Sequence, residues 1–485
     1  MVVASIEFVL NGMLNFSASY IMGGIGCAPE EFSYAAMAYA ISAVLALFNH
    51  QWCTERLGPR GLLRCSLLIF AAGTVLCATA FTPAMFIAGR AIAGLGGAAF
   101  FTGARIEVSR QPAARRTLAL LCFGYALLLG SAAGPLLGSL ALRYGSWRLI
   151  FWGMLPWLAI AALATRRFTA NVDVAVPSNY HPRTLIWLVS AVVLLQYLIQ
   201  QTPYDFFSRP DVLLACLLLA LIAGVGFMAR HRRSATDREQ WRMLAQKRYL
   251  FGLVFYFVCY CMVAANNYIL PVLVQQGIGF DVPTTGLLLS VSFLAGTVFA
   301  SLYAVLMLRG RVRGLKPVMV FAMLMLAGFG VLMSGLDGDA TVGRLALILI
   351  FNGAFLSCFI IAVAQGTFSQ VDETAFTHAY QTKNIVRQVA ISAAVALSTV
   401  FLQGRNALHY GRLGERYALG SPWLGDALDA IRQALPQLDA SRAMSLLVSE
   451  LSRQSMLLSC LEFYRLEMWL GLALAVFIAL QKTFR

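Results

Sequence analysis

Two ionisable side chains stand inside long apolar stretches, where a charge needs a reason. Glu7 lies in the apolar segment 4–26, and Arg90 opens the run Gly89-Arg90-Ala91-Ile92-Ala93-Gly94-Leu95-Gly96-Gly97. A charge at the centre of a bilayer-spanning helix costs about 2.5–3.5 kcal/mol on the insertion scale, so it is kept where it meets water, a partner or backbone carbonyls. A carboxyl so placed can take up and give back a proton, so Glu7 is the candidate proton site, and Arg90, a fixed charge inside a span, is the second candidate for proton coupling. Each has a plainer reading: a hydrated carboxylate at the membrane edge for Glu7, and an arginine reaching out from the end of its helix for Arg90. Besides Glu107, near an inside end, Glu7 is the only acid in the apolar body of the first half.

A second set of polar groups is spread through the apolar segments: Asn11, Asn15, Gln196, Gln200, Tyr256, Tyr260, Asn266, Asn267, Tyr268, Asn352, Gln365, Asn384, Arg387 and Gln388, with many Phe and Met between them. Apolar walls with scattered hydrogen-bonding groups suit a bulky amphiphile, although many such groups serve as bonds between helices instead. Scarce acids argue against a multivalent cation, and Arg90 with Arg387 would favour a neutral or anionic cargo such as a fatty acid or siderophore. The five histidines and ten cysteines have no metal-ligand spacing, so no metal is expected and the cysteines read as small packing residues. No glycine-rich loop with a lysine is present to hold a nucleotide, and no cofactor is expected.

The elements that must carry these groups follow from composition. The 485 residues are 59% hydrophobic and 12% charged, against about 25% charged in a soluble domain. Lipid leaves backbone groups no partners, so a spanning segment must be a helix of roughly 20 apolar residues. Fourteen such segments are expected, near 4–26, 32–51, 62–82, 84–105, 117–141, 147–165, 184–201, 211–229, 249–275, 284–308, 317–336, 343–368, 384–404 and 460–481. No basic region precedes the first, and it runs past signal-peptide length, so it reads as a span. The fold expected is an all-α polytopic membrane protein of two six-helix bundles, 1–166 and 249–485. Residues 167–248 would form a linker containing Pro177 and Pro182 with two additional helices. Arg60-Gly61-Leu62 and Arg313-Gly314-Leu315, at equivalent places in the halves, form a faint internal repeat.

The net charge of +15 does not imply nucleic acid, because the basic residues fall between spans on alternate sides. Arg56, Arg60, Arg64, Arg105, Arg110, Arg115, Arg116, Arg166, Arg167, the stretch 230–248, Arg309, Arg311, Arg313, Lys316, Lys383 and Arg387 gather on one side, taken as the cytoplasm with both termini. Glu55-Arg56-Leu57-Gly58-Pro59-Arg60 forms a loop in which Glu55, Arg56 and Arg60 would either close an inside gate by charge pairing or simply set topology. In the fifth segment, Gly130-Ser131-Ala132-Ala133-Gly134-Pro135-Leu136-Leu137-Gly138 puts glycines at i, i+4 and i+8 on one face, with Pro135 removing a backbone bond. Such a face suits either a sliding contact or tight static packing.

At these residues the chain resembles the major facilitator superfamily, and specifically its fourteen-helix drug:proton antiporter branch of the EmrB/QacA type. Gly130, Gly134, Pro135 and Gly138 look like the branch's antiporter motif, and Trp147-Arg148-Leu149-Ile150-Phe151 with Pro156 looks like its continuation. Arg90 with Gly94 and Gly96 resembles the fourth-helix motif, with Ala93 where a glutamine is usual. Pro112-Ala113-Ala114-Arg115-Arg116, and Leu270-Pro271 with Gln275 and Gly286, resemble further family stretches. The loop at Glu55 is a degraded version of the family's, and the usual first-helix aspartate falls at Leu10 or Asn11, leaving Glu7 one turn earlier. The resemblance implies a secondary active transporter, not an enzyme, that exports small amphiphiles in exchange for protons from the bacterial inner membrane. A gradient-independent facilitator or lipid flippase on the same fold stays open.

Residues 423–434 and 441–458, around Pro436, alternate apolar and charged groups at helical period and predict a helical hairpin on the outside face at about 405–459. The resemblance implies a place where a periplasmic adaptor protein and, through it, an outer-membrane channel could join a tripartite efflux assembly. A lid on the membrane surface is the alternative.

Overall fold

A computed structural model describes residues 2–484 apart from 110, 167–181, 207, 233–241, 243–244, 312–313, 419–420, 436 and 438. Pro177, Arg110, Arg167, Arg313, Pro436 and the middle of the basic stretch 230–248 lie outside the described residues. Among those described, regular structure is entirely helical: α1 Val2–Phe16, α2 Ala18–Ile25, α3 Pro29–Ala78, α4 Pro83–Ser109, α5 Ala113–Arg143, α6 Leu149–Trp152, α7 Met154–Arg166, α8 Pro182–Asp205 and α9 Pro210–His231. There follow α10 Lys247–Val272 with a π-helical turn Leu273–Ile278, α11 Val282–Leu308, α12 Lys316–Ser334, α13 Val342–Phe368, α14 Glu373–Arg416, α15 Pro422–Ala434 and α16 Ala440–Leu480.

All fourteen expected apolar segments fall on helix. By length and composition eleven described helices qualify as spans, or twelve when α1 and α2, bent by 69°, count as one. The difference has local causes. The expected spans 32–51 and 62–82 lie on the single 50-residue α3, which breaks at Gly58 (φ 68°, ψ 161°), a backbone conformation that suits glycine. The expected sixth span is divided between α6 and α7 at Gly153. The π-helical turn follows Pro271, whose missing N–H disturbs the regular ladder.

Each half has its own apolar core. Ile6, Val9, Phe70, Phe86, Phe100, Trp147 and Phe151 belong to one, Phe255, Met323, Phe329, Phe355, Phe359 and Tyr464 to the other. Helices α8 and α9 pack on each other, with α8 also against α3 and α14, and α9 leaves most of its apolar surface exposed. Helix α5 is held between α1 and α11. Its motif glycines face α1: a Cβ on Gly130 would meet Ser5, one on Gly134 would meet Gly12 and one on Gly138 would meet Phe16. On its other side the Ser290 hydroxyl of α11 donates to the Ala132 carbonyl at 2.7 Å.

In the region 405–459, α14 and α16 continue as long helices and only α15 is a separate element. Arg405 of α14 pairs with Glu462 of α16, and Ser455 donates to Asn406 at 2.7 Å, so the extended ends are tied together. Arg453 reaches the Ile278 carbonyl at 3.1 Å beside the π-helical turn.

Candidate functional site

Between the two cores lies a cavity of about 2380 Å³ lined from both halves, well above the roughly 300–1,000 Å³ of an ordinary ligand pocket. Helix α1 contributes Glu7, Asn11 and Asn15, α4 Arg90 and Arg105, α5 Pro135, α8 Gln200, α10 Tyr256, Tyr260, Asn267 and Tyr268, and α14 Lys383, Arg387 and Gln388.

The centre of the site is an ion pair across the halves. Arg387 Nη2 donates to Glu7 Oε1 at 2.6 Å, with both side chains almost fully buried. Glu7 Oε2 and Arg387 Nε have no hydrogen-bond partner among the described residues. The Arg387 guanidinium also lies 4.9 Å from the ring centre of Phe101 and 5.3 Å from that of Phe8. Three residues before Arg387, Asn384 donates to the Thr102 hydroxyl of α4 at 2.7 Å, a second polar link between the halves.

One turn before Arg387 is Lys383, 1% exposed. Its ammonium lies 4.6 Å from the ring centre of Phe101, 5.2 Å from Tyr256, 5.6 Å from Tyr260 and 4.4 Å from Tyr380. Among the described residues its ammonium makes one hydrogen bond, to the Tyr260 hydroxyl at 3.4 Å. Positive-inside counting put Lys383 and Arg387 at a cytoplasmic helix end. They sit ten and fourteen residues into α14 and line the cavity, where Arg387 was expected and Lys383 was not.

Arg90 is also buried, 4.2 Å from the ring centre of Tyr39, with Nε and Nη1 unpartnered among the described residues. Several expected cavity residues face elsewhere. Asn266 is turned into the second core, where it donates to Glu467 of α16 at 2.7 Å. Asn352 donates to Ser292 at 2.9 Å, and Gln196 is fully enclosed away from the cavity. The expected loop is instead part of α3, on either side of its break at Gly58, where Arg56 is exposed and stacks 5.0 Å from the Trp52 ring centre, while Glu55 and Arg60 are half-buried. Sequence reasoning missed Lys383 as a cavity group and Glu467 as a buried acid. A cation one helical turn from Arg387, and an acid within the last apolar segment, were the available signals.

Removing one partner of a buried ion pair leaves an uncompensated charge at a cost of about 3–5 kcal/mol.

A family model for the Major Facilitator Superfamily matches residues 1–395. The chain is 20% identical over 423 residues to the uncharacterised transporter YhcA of Bacillus subtilis, covering 84% of this chain and 76% of that one. It is 20% identical to MdtD of Pectobacterium carotovorum, a protein provisionally named for multidrug resistance, over 80% of this chain and 83% of that one. Among solved structures it is similar to a bacterial homologue of the human lysosomal transporter Spinster in an inward-facing, unoccupied conformation, with a TM-score of 0.61, 11% identity and coverage of 99% of this chain and 95% of that chain.

Proposed function

Because this chain belongs to the Major Facilitator Superfamily, and so is a multi-pass membrane transporter rather than an enzyme, we propose that it exports small amphiphilic compounds in exchange for protons by alternating access. The proton carrier in this reading is Glu7, and Arg387 is the charge it releases. The observation that carries it is the 2.6 Å contact between them, because it joins the first helix of one half to a helix of the other across the cavity. Protonation of Glu7 cancels the attraction at that level and strands a buried guanidinium. About 3–5 kcal/mol is then at stake, which at 1.4 kcal/mol per tenfold shifts a conformational equilibrium by a factor of about 100 or more. A membrane potential adds about 2.3 kcal/mol per charge per 100 mV.

The similarity to a protein named for multidrug resistance supports an amphiphilic cargo, as does a cavity wall in which Phe8, Phe101, Phe293 and Phe376 alternate with Asn11, Asn15, Asn267 and Gln388. The same reading puts the chain in a bacterial inner membrane with both termini cytoplasmic. The projecting α15 and the tied ends of α14 and α16 then face the periplasm, where an adaptor protein would seat.

The test is transport in inverted membrane vesicles with an imposed proton gradient, over a panel of amphiphilic dyes, fatty acids and siderophores. Uptake that collapses with a protonophore and with Glu7→Gln supports antiport through Glu7. Uptake indifferent to the gradient and unchanged in Glu7→Gln would leave a facilitator or flippase.

A further inference from the structure

The described cavity lining carries four cations, Arg90, Arg105, Lys383 and Arg387, against two carboxylates, Glu7 and Glu107. At the level where the halves meet the imbalance is sharper. Lys383 and Arg387 are both more than nine-tenths buried and one turn apart on the same face of α14, and Glu7 is the carboxylate paired there. Like charges at i and i+4 repel, and buried charge without a counter-charge is unfavourable. Among the described residues Arg387 Nε is unpartnered, and the ammonium of Lys383 is held by ring faces and one hydroxyl, with no carboxylate in direct contact and Glu7 acting on it only from a distance, through its field.

Ring faces that would otherwise favour a cationic cargo are therefore occupied by the protein's own lysine. What the cluster lacks is an anion. The surrounding aromatic groups give that anion an apolar seat: Tyr256 stacks on Tyr260 with ring centres 5.8 Å apart, and Phe376 on Tyr380 at 5.9 Å, beside Phe8 and Phe101. Arg105 approaches the same group from α4, 5.0 Å from the Phe376 ring centre.

We propose that Lys383 and Arg387 form the headgroup site for a hydrophobic organic anion, a carboxylate on an aromatic or aliphatic body. The anionic headgroup competes with Glu7 for Arg387 and gives Lys383 the counter-charge at contact distance that it lacks among the described residues. This rests on the export reading for its place in a cycle, but the binding site itself does not depend on proton coupling.

The probes are three compounds with one body, naphthalene-2-acetate, its neutral amide and the corresponding naphthylmethylammonium, titrated onto the purified full-length protein in a neutral detergent with no gradient. We expect the acid to bind at least tenfold more tightly than the amide and the ammonium. Lys383→Met should bring the acid down to the affinity of the amide, and Lys383→Arg should keep the preference. Glu7→Gln should tighten the acid several-fold, because a competing carboxylate is gone. Equal binding of the three headgroups, or an unchanged preference in Lys383→Met, overturns the proposal. Should Lys383→Met not fold, the headgroup ranking of the unaltered protein and the sign of the Glu7→Gln effect decide it. Anion binding without gradient-driven transport would sink the antiport reading alone, and proton-driven export of a cation with no anion preference would sink this one alone.

Discussion

Gly134 of α5 approaches Gly12 of α1 so closely that a Cβ on Gly134 would stand 2.8 Å from the Gly12 Cα, and 3.0 Å from the Val9 carbonyl oxygen. Neither obstacle is the movable end of a side chain. Gly134→Ala should therefore force the helices apart, with a loss of about 1–3 kcal/mol, and Gly134→Leu should lose more. Thermal unfolding in detergent measures this against Gly103→Ala, whose added methyl meets nothing within 4 Å. Equal melting of Gly134→Ala and Gly103→Ala would show that the contact is not tight.

The ion pair of Glu7 and Arg387 predicts strong non-additivity. Arg387→Met leaves a buried carboxylate without its partner, and Glu7→Gln leaves a guanidinium, so each single change should destabilise by about 3–5 kcal/mol if the remaining group stays charged. The double change removes both charges and should be less harmful than the sum, by at least about 1 kcal/mol. Additive losses in a double-mutant cycle of thermal stability would argue that the two groups do not depend on each other.

Much of this arrangement could be read in the sequence, and the limits are physical. Glycines at 130, 134 and 138 share a face because of helical spacing alone, and that face does meet another helix. Glu7 and Arg387 each stand out as charges in apolar segments, but 380 residues separate them and no local pattern pairs them. Asn266 and Asn267 are adjacent and point about 100° apart on a helix of 3.6 residues per turn. One meets Glu467 and the other the cavity, and only tertiary packing decides which. Lys383 misled for a different reason: topology rules count basic residues by nearness to a segment's end, and α14 begins ten residues before Lys383.

Glu467 and Asn266 offer a test of a buried acid outside the cavity. Asn266 Nδ2 donates to Glu467 Oε1, and the second carboxylate oxygen has no hydrogen-bond partner among the described residues. Glu467→Gln retains an acceptor for Asn266, so it should cost less than about 1.5 kcal/mol. Glu467→Ala strips the partner from a buried amide and opens space, and should cost about 2–4 kcal/mol. Gradient-driven transport should survive in Glu467→Gln. Its loss, with folding intact, would make Glu467 rather than Glu7 the coupling acid.

Arg90 depends on the face of Tyr39. The guanidinium carbon lies 4.2 Å from the ring centre, both side chains line the cavity, and Arg90 makes no ion pair among the described residues. A desolvated cation over an aromatic ring is worth about 2 kcal/mol, and the attraction belongs to the ring rather than to the hydroxyl. Tyr39→Phe should therefore keep both stability and transport close to those of the unaltered chain, whereas Tyr39→Leu should lose about 2 kcal/mol and lower the transport rate. Arg90→Ala in the Tyr39→Leu background should then add less damage than Arg90→Ala alone. If Tyr39→Phe proves as harmful as Tyr39→Leu, the hydroxyl and not the ring holds the arginine, and Arg90 is positioned by a polar contact that forms in another state of the cycle.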